Sequence, residues 1–197
     1  MRSPLIGIAA LSLIALVAAA TVAARPTGGR ANWTVQDVMD RLIDPSADTL
    51  WGSVGTVEAA GGQEHRAPKS PADWVKLEQQ ARKLIEGAAL LKTPRPVGAD
   101  GGKGLADAST PGIRSAEEIA AEIRADPKRF NAAAERLRTA GRSALRAARA
   151  QDANALLTAG AAIDGACESC HAHYWYPKQR LTLPSRHAFA AHIWRGR

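Results

Sequence analysis

Phe130, Ala133, Leu137, Ala140, Ala144 and Ala148 follow one another at spacings of three and four residues. Side chains so spaced share one face of an α-helix but would alternate between the faces of a strand. The stretch can therefore bury its apolar residues only as a helix packed against partners. Three further stretches carry the same signal. One runs through Val35, Val38, Met39, Leu42 and Ile43 and resumes past Pro45 with Ala47, Leu50, Trp51 and Val54. A second holds Trp74, Leu77, Ala81, Leu84, Ala88 and Leu91; a third holds Leu156, Ala159, Ile163, Ala166 and Cys170 before Pro177 stops it. Helix starts are spelled by Thr34 with Asp37, by Ser70-Pro71 with Asp73, by Ser115 with Glu118, and by Asp152. Asp126-Pro127 restarts or bends the helix that begins at Ser115, and Pro45 either kinks the first helix or divides it. Composition agrees, because 42 of 197 residues are alanine and only 5% are aromatic, which disfavours sandwiches and barrels. The expected fold is all-α, a four-helix bundle with up-down-up-down order over residues 33–177. Residues 58–70 read as a polar loop. The Gly/Pro-rich stretch from Lys92 to about Arg114 reads either as a flexible connection or as an ordered loop around a site.

The ends of the chain are different in kind. Arg2 precedes an uncharged run from Leu5 to Ala24, so residues 1–24 are either a cleaved signal peptide or an uncleaved anchor with residues 5–24 in the membrane. Both readings export the remainder. The segment holds no cysteine, which excludes a lipoprotein anchor. Residues 178–197 form a basic tail that includes His187, Phe189, His192 and Trp194.

The two cysteines stand three apart and are followed at once by a histidine: Cys167-Glu168-Ser169-Cys170-His171. A pair so close cannot staple a fold of this size. C-x-x-C-H on a helix is the pattern of covalent haem attachment, in which both thiols form thioethers along one porphyrin edge and the imidazole turns to the iron. Zinc would need two more soft ligands, and a thioredoxin-like dithiol sits where a strand meets a helix rather than late in a helical run. The expected cofactor is therefore one covalently bound haem c, held by Cys167 and Cys170 with His171 as the proximal iron ligand, in a protein exported to the periplasm.

A single haem motif near the C-terminus of an exported, alanine-rich helical chain resembles the class II cytochromes c, the cytochrome c prime type. The resemblance spans roughly residues 33–176, and its specific part is Ala166 to Tyr174. It implies that the first helix covers the far side of the haem. There an apolar residue leaves iron five-coordinate in gas-binding members, and a methionine closes it in low-spin carriers. Met39, the only methionine besides the initiator, lies on the apolar stripe of that helix and is the candidate distal ligand. The chain departs from the family after Tyr174, where Trp175, Tyr176 and Pro177 stand in place of the basic residue that often follows. The resemblance also points to a homodimer.

Other histidines compete weakly. His173 is about 200° round the helix from His171 and faces away from the haem. His65 lies in a polar segment, and His187 and His192 read as solvated tail residues. Trp51 either walls the haem or serves the ordinary core. Charge is polarised: residues 33–58 sum to −4 and residues 124–149 to +6 within a net +7. Such asymmetry suits docking to redox partner proteins, while no motif supports nucleic acid. No paired carboxylates or activated nucleophile suggest an enzyme. The expected function is a periplasmic electron carrier; the alternative is a five-coordinate protein that binds nitric oxide or carbon monoxide.

Overall fold

A computed structural model of the protein describes residues 29–59, 61–98 and 104–177. The N-terminal segment 1–24 and the tail 178–197, with His187 and His192, lie outside the described residues. Among the described residues no helix is long and apolar enough to cross a membrane.

The described chain is mostly helical. The first helical run begins with α1 (Val35–Val38), widens into a π-helical turn (Met39–Ile43) and continues as α2 (Asp44–Gly52). Thr34 caps it reciprocally with Asp37, as the sequence pattern indicates. Pro45 neither divides nor merely kinks the run. Proline has no N–H to return to the carbonyl four residues back, and its ring crowds that carbonyl. The turn before it loosens instead, so that the Asp44 N–H donates to the carbonyl of Met39, five residues back.

The segment read as a polar loop is in part a hairpin. Strands β1 (Gly55–Ala59) and β2 (Gly62–Arg66) pair antiparallel, with Thr56 opposite His65 and Val57 opposite Glu64. This corrects the loop reading of that segment within a fold that is otherwise helical, and the helix ends at Gly52 although Val54 still reaches the core. Five residues with few apolar side chains give too weak an alternation to be read as a strand. What supports the pairing is positive φ at Gly55 and Gly62, 118° and 115°, which side-chain-bearing residues avoid.

Helix α3 (Pro71–Leu91) opens on a Ser70–Asp73 capping box with Pro71 in its first turn. Helix α4 (Ala116–Ala125) opens on Ser115 and Glu118. Asp126 then leaves helical geometry, at φ −142° and ψ 77°, and caps α5 (Pro127–Ala150), so the Asp-Pro pair restarts the helix rather than bending it. Helix α6 (Ala153–Tyr174) is capped by Asp152 and carries the cysteine motif in its last two turns. Helix α3 packs along α5 and α5 along α6, while α2 meets both α3 and α6. Their alanines allow close approach, and Leu50, Leu84, Leu156 and Ile163 fill the centre. Gly87 marks the tightest crossing, because a Cβ there would lie 2.7 Å from Ile43 Cγ1.

Helices α5 and α6 are joined by Gln151 and Asp152 alone. Gln151 takes the left-handed conformation, φ 54° and ψ 36°, while the Asp152 N–H returns to the carbonyl of Ala147 at 3.0 Å. Residues with a Cβ pay for that conformation and glycine does not. Gln151→Gly is expected to stabilise the protein by about 0.5–1 kcal/mol, read as a higher denaturant midpoint with unchanged slope.

Candidate functional site

The last two turns of α6 place Cys167, Cys170 and His171 against one small apolar cavity. Three other elements complete the lining. The π-helical turn contributes Met39 and Ile43, the end of α3 contributes Leu91, and α5 contributes Phe130, Ala133, Ala134 and Leu137. The stripe that makes α5 a helix is thus also the wall of the site. Small residues at Ala133, Ala134 and Ala166 leave the space, and Phe130 and Leu137 keep it apolar. Met39, remote in sequence from the cysteine motif, reaches the same cavity because the first helical run lies alongside α3 and α6.

Electrostatics in the cavity follow from burial. Both cysteines are free thiols. Burial pushes the Cys167 thiol up to about 12, with the carboxylate of Asp44 and the neighbouring Cys170 adding to the effect. Burial likewise raises Cys170, to about 11, against the opposing pull of Arg136. These thiols are the reverse of a reactive dithiol, whose attacking sulfur needs a lowered pKa. In haem-free chain both remain protonated at neutral pH. Alkylation by iodoacetamide is expected to accelerate past pH 9 and level off only near pH 11–12, followed by the mass of the modified chain. Burial lowers the pKa of His171, while Glu168 and Asp107 oppose it. The imidazole is accordingly neutral, with a lone pair to give.

The donor set fits a haem better than a single ion. Two thiols and a neutral imidazole on successive helical turns face an apolar cleft. Among the described residues no three His, Cys, Asp or Glu side chains gather round one point to hold a metal ion. The Tyr174 hydroxyl is buried with no hydrogen-bond partner among the described residues, next to Phe130 with ring centroids 5.3 Å apart. Phe130 lines the cavity, so this unpaired polar group lies one ring away from it.

Past the motif the chain folds over His171. Trp175 and Tyr176 set their rings 6.1 and 6.2 Å from the imidazole. Trp175 Nε1–H donates to Asp107, at 3.2 Å to Oδ2, and the Tyr176 hydroxyl donates to Glu168 Oε2 at 2.8 Å. The loop after α3 is ordered around the site over its described parts. Pro96 and Val97 carbonyls accept from Val35 and Gln36 N–H groups, and the Arg114 N–H donates to the Trp175 carbonyl at 2.9 Å. Asp107, Trp175 and Tyr176 were not singled out by periodicity, because each matters through contacts that cross the fold rather than through local spacing.

The remaining histidines and Trp51 have other work. His173 Nε2 lies 3.2 Å from Glu122 Oε1 on α4, and His65 Nδ1 shares a 2.9 Å hydrogen bond with Thr56 in the hairpin. Trp51 Nε1–H donates to the Gly160 carbonyl at 3.0 Å, pinning α2 to α6 away from the cavity lining. In comparisons with known proteins, the family described as Cytochrome C′ matches residues 68–175. No curated protein and no solved structure matches the chain.

Proposed function

Since the chain belongs to the cytochrome c′ family, matched over 68–175 and so over more than half its length, and is thereby a haem c-type cytochrome, we propose that it is a periplasmic mono-haem electron carrier and not an enzyme. In this reading Cys167 and Cys170 would hold the haem through thioethers, and His171 and Met39 would supply its iron with an imidazole nitrogen and a thioether sulfur. The observation that carries it is the convergence of Met39 with Cys167, Cys170 and His171 on one cavity. A thioether sulfur is a soft ligand that favours the reduced state of haem iron and excludes exogenous ligands, which suits a carrier. When bound, the haem supplies the one-electron chemistry. The chain fixes the imidazole, keeps water from the cavity with Ile43, Leu91, Phe130 and Leu137, and presents a docking surface. An up-down-up-down bundle of the 35–52 run, α3, α5 and α6, with α4 as an addition, is supported by the closed round of contacts among these helices. Export through residues 1–24, cleaved or retained as an anchor, is part of the same proposal, as is recognition of redox partner proteins rather than nucleic acid.

The second reading, a five-coordinate haem that binds nitric oxide or carbon monoxide, draws on the absence of any polar side chain facing the motif across the cavity among the lining residues. Absorption spectra of the purified protein, oxidised and reduced, separate the two. A carrier gives low-spin spectra that carbon monoxide barely alters; a high-spin spectrum that shifts at once with carbon monoxide removes Met39 from the iron.

A further inference from the structure

We propose that Trp175 and Tyr176 form a clamp that positions the His171 imidazole, and that the Asp107 carboxylate behind Trp175 lowers the reduction potential of the iron that this imidazole holds. The inference rests on the haem ligation proposed for His171 and extends it to residues outside the motif.

The clamp is tethered at every part. The Trp175 and Tyr176 N–H groups both donate to the His171 carbonyl, at 2.7 and 3.0 Å, which closes the end of α6 and turns the two rings back toward the imidazole. Trp175 stands 6.1 Å away at an interplanar angle of 46°, and Tyr176 stands 6.2 Å away at 69°. Two aromatic rings at different angles beside the imidazole restrict its rotation. Neither aromatic ring is free to swing. Trp175 is held by Asp107, 68 residues earlier, and its carbonyl by the Arg114 N–H; Arg114 Nη1–H also donates to the His173 carbonyl at 3.2 Å. Tyr176 is 7% exposed and bonds Glu168, which lies between the two cysteines. The ring orientation is thereby coupled to the peptide that carries the thioethers.

The tethers are carboxylates, and that decides the sign. Asp107 holds the Trp175 ring that stands 6.1 Å from the imidazole, and Glu168 lies three residues before His171 on α6. A fixed negative charge beside the ligand stabilises ferric over ferrous iron, more strongly in a partly buried setting than in water. Asparagine at 107 can still accept the Trp175 N–H through its amide oxygen, so Asp107→Asn removes the charge and keeps the tether. Tyr176→Phe keeps the ring and removes the tether.

The test is spectroelectrochemistry of the haem-loaded protein, with resonance Raman of the ferrous Met39→Ala protein, whose high-spin iron would keep His171 as its protein ligand. Poised at the midpoint of the unsubstituted protein, Asp107→Asn is expected to raise the ferrous-to-ferric ratio severalfold with an unchanged far-ultraviolet circular dichroism spectrum. Tyr176→Phe added to Met39→Ala is expected to shift or broaden the iron–histidine stretching band. A ratio that stays at one, or a band that does not move, overturns the corresponding half of the proposal and leaves Trp175 and Tyr176 as packing. A Met39→Ala protein that shows no iron–histidine band overturns the ligation by His171 itself, a result distinct from failure of the clamp.

Discussion

Met39→Ala is expected to convert the haem from low-spin to high-spin in both oxidation states and to let carbon monoxide bind the ferrous form without displacing a protein ligand. The proposed ligation makes this the largest change available from a single side chain, because alanine offers neither sulfur nor reach. The cavity grows as the ligand leaves, since Met39 is part of its wall. Truncating a half-buried methionine also costs about 1–2 kcal/mol of stability, at or below the low end for such substitutions in cores. Absorption spectra with and without carbon monoxide check the outcome. A Met39→Ala protein with the spectrum of its parent would show that this sulfur only fills space.

The second large effect concerns attachment. In a Cys167→Ala, Cys170→Ala protein the proposed thioethers cannot form, and haem is expected to pass completely into acidified organic solvent. The denatured polypeptide should then have the mass of the chain alone, whereas the parent retains its haem under the same treatment. Either single substitution leaves one thiol on the shared helical face, and a single thioether should hold most of the haem. Haem that stays with the doubly substituted chain after denaturation would sink the assignment of both cysteines.

Much of the fold can be read residue by residue. Thr34, Ser70, Ser115, Asp126 and Asp152 each cap the helix they precede, since a side-chain oxygen before a helical run has one profitable use, accepting from the exposed N–H groups. The stripe from Phe130 to Ala148 is buried throughout, because periodicity dictates which face of a long helix meets its neighbours. Pro45 is legible as a disturbance but not as a π-helical turn. Its effect depends on how far the preceding turn can widen, and that is set by packing on α3, where Gly87 leaves room for Ile43. The hairpin leaves no periodic mark in the sequence, because two-stranded pairing draws its stability from the partner strand rather than from alternation within either one.

The site divides along the same line. Cys167, Cys170 and His171 are adjacent in sequence, so the chemistry they offer together is determined by the sequence itself: thiols and imidazole on one helical face. Met39 is named in the sequence by its stripe and its rarity, but its place opposite the motif, and the parts played by Asp107, Trp175 and Tyr176, come from tertiary structure. Which helix crosses opposite the motif, and which loop lies behind the imidazole, are settled by packing and hydrogen bonds between distant segments, including the bond from Trp175 to Asp107 across 68 residues. Local spacing encodes the direction in which each side chain leaves its own helix. It carries no record of what that side chain meets, because the free energy of burial depends on the partner surface as much as on the residue.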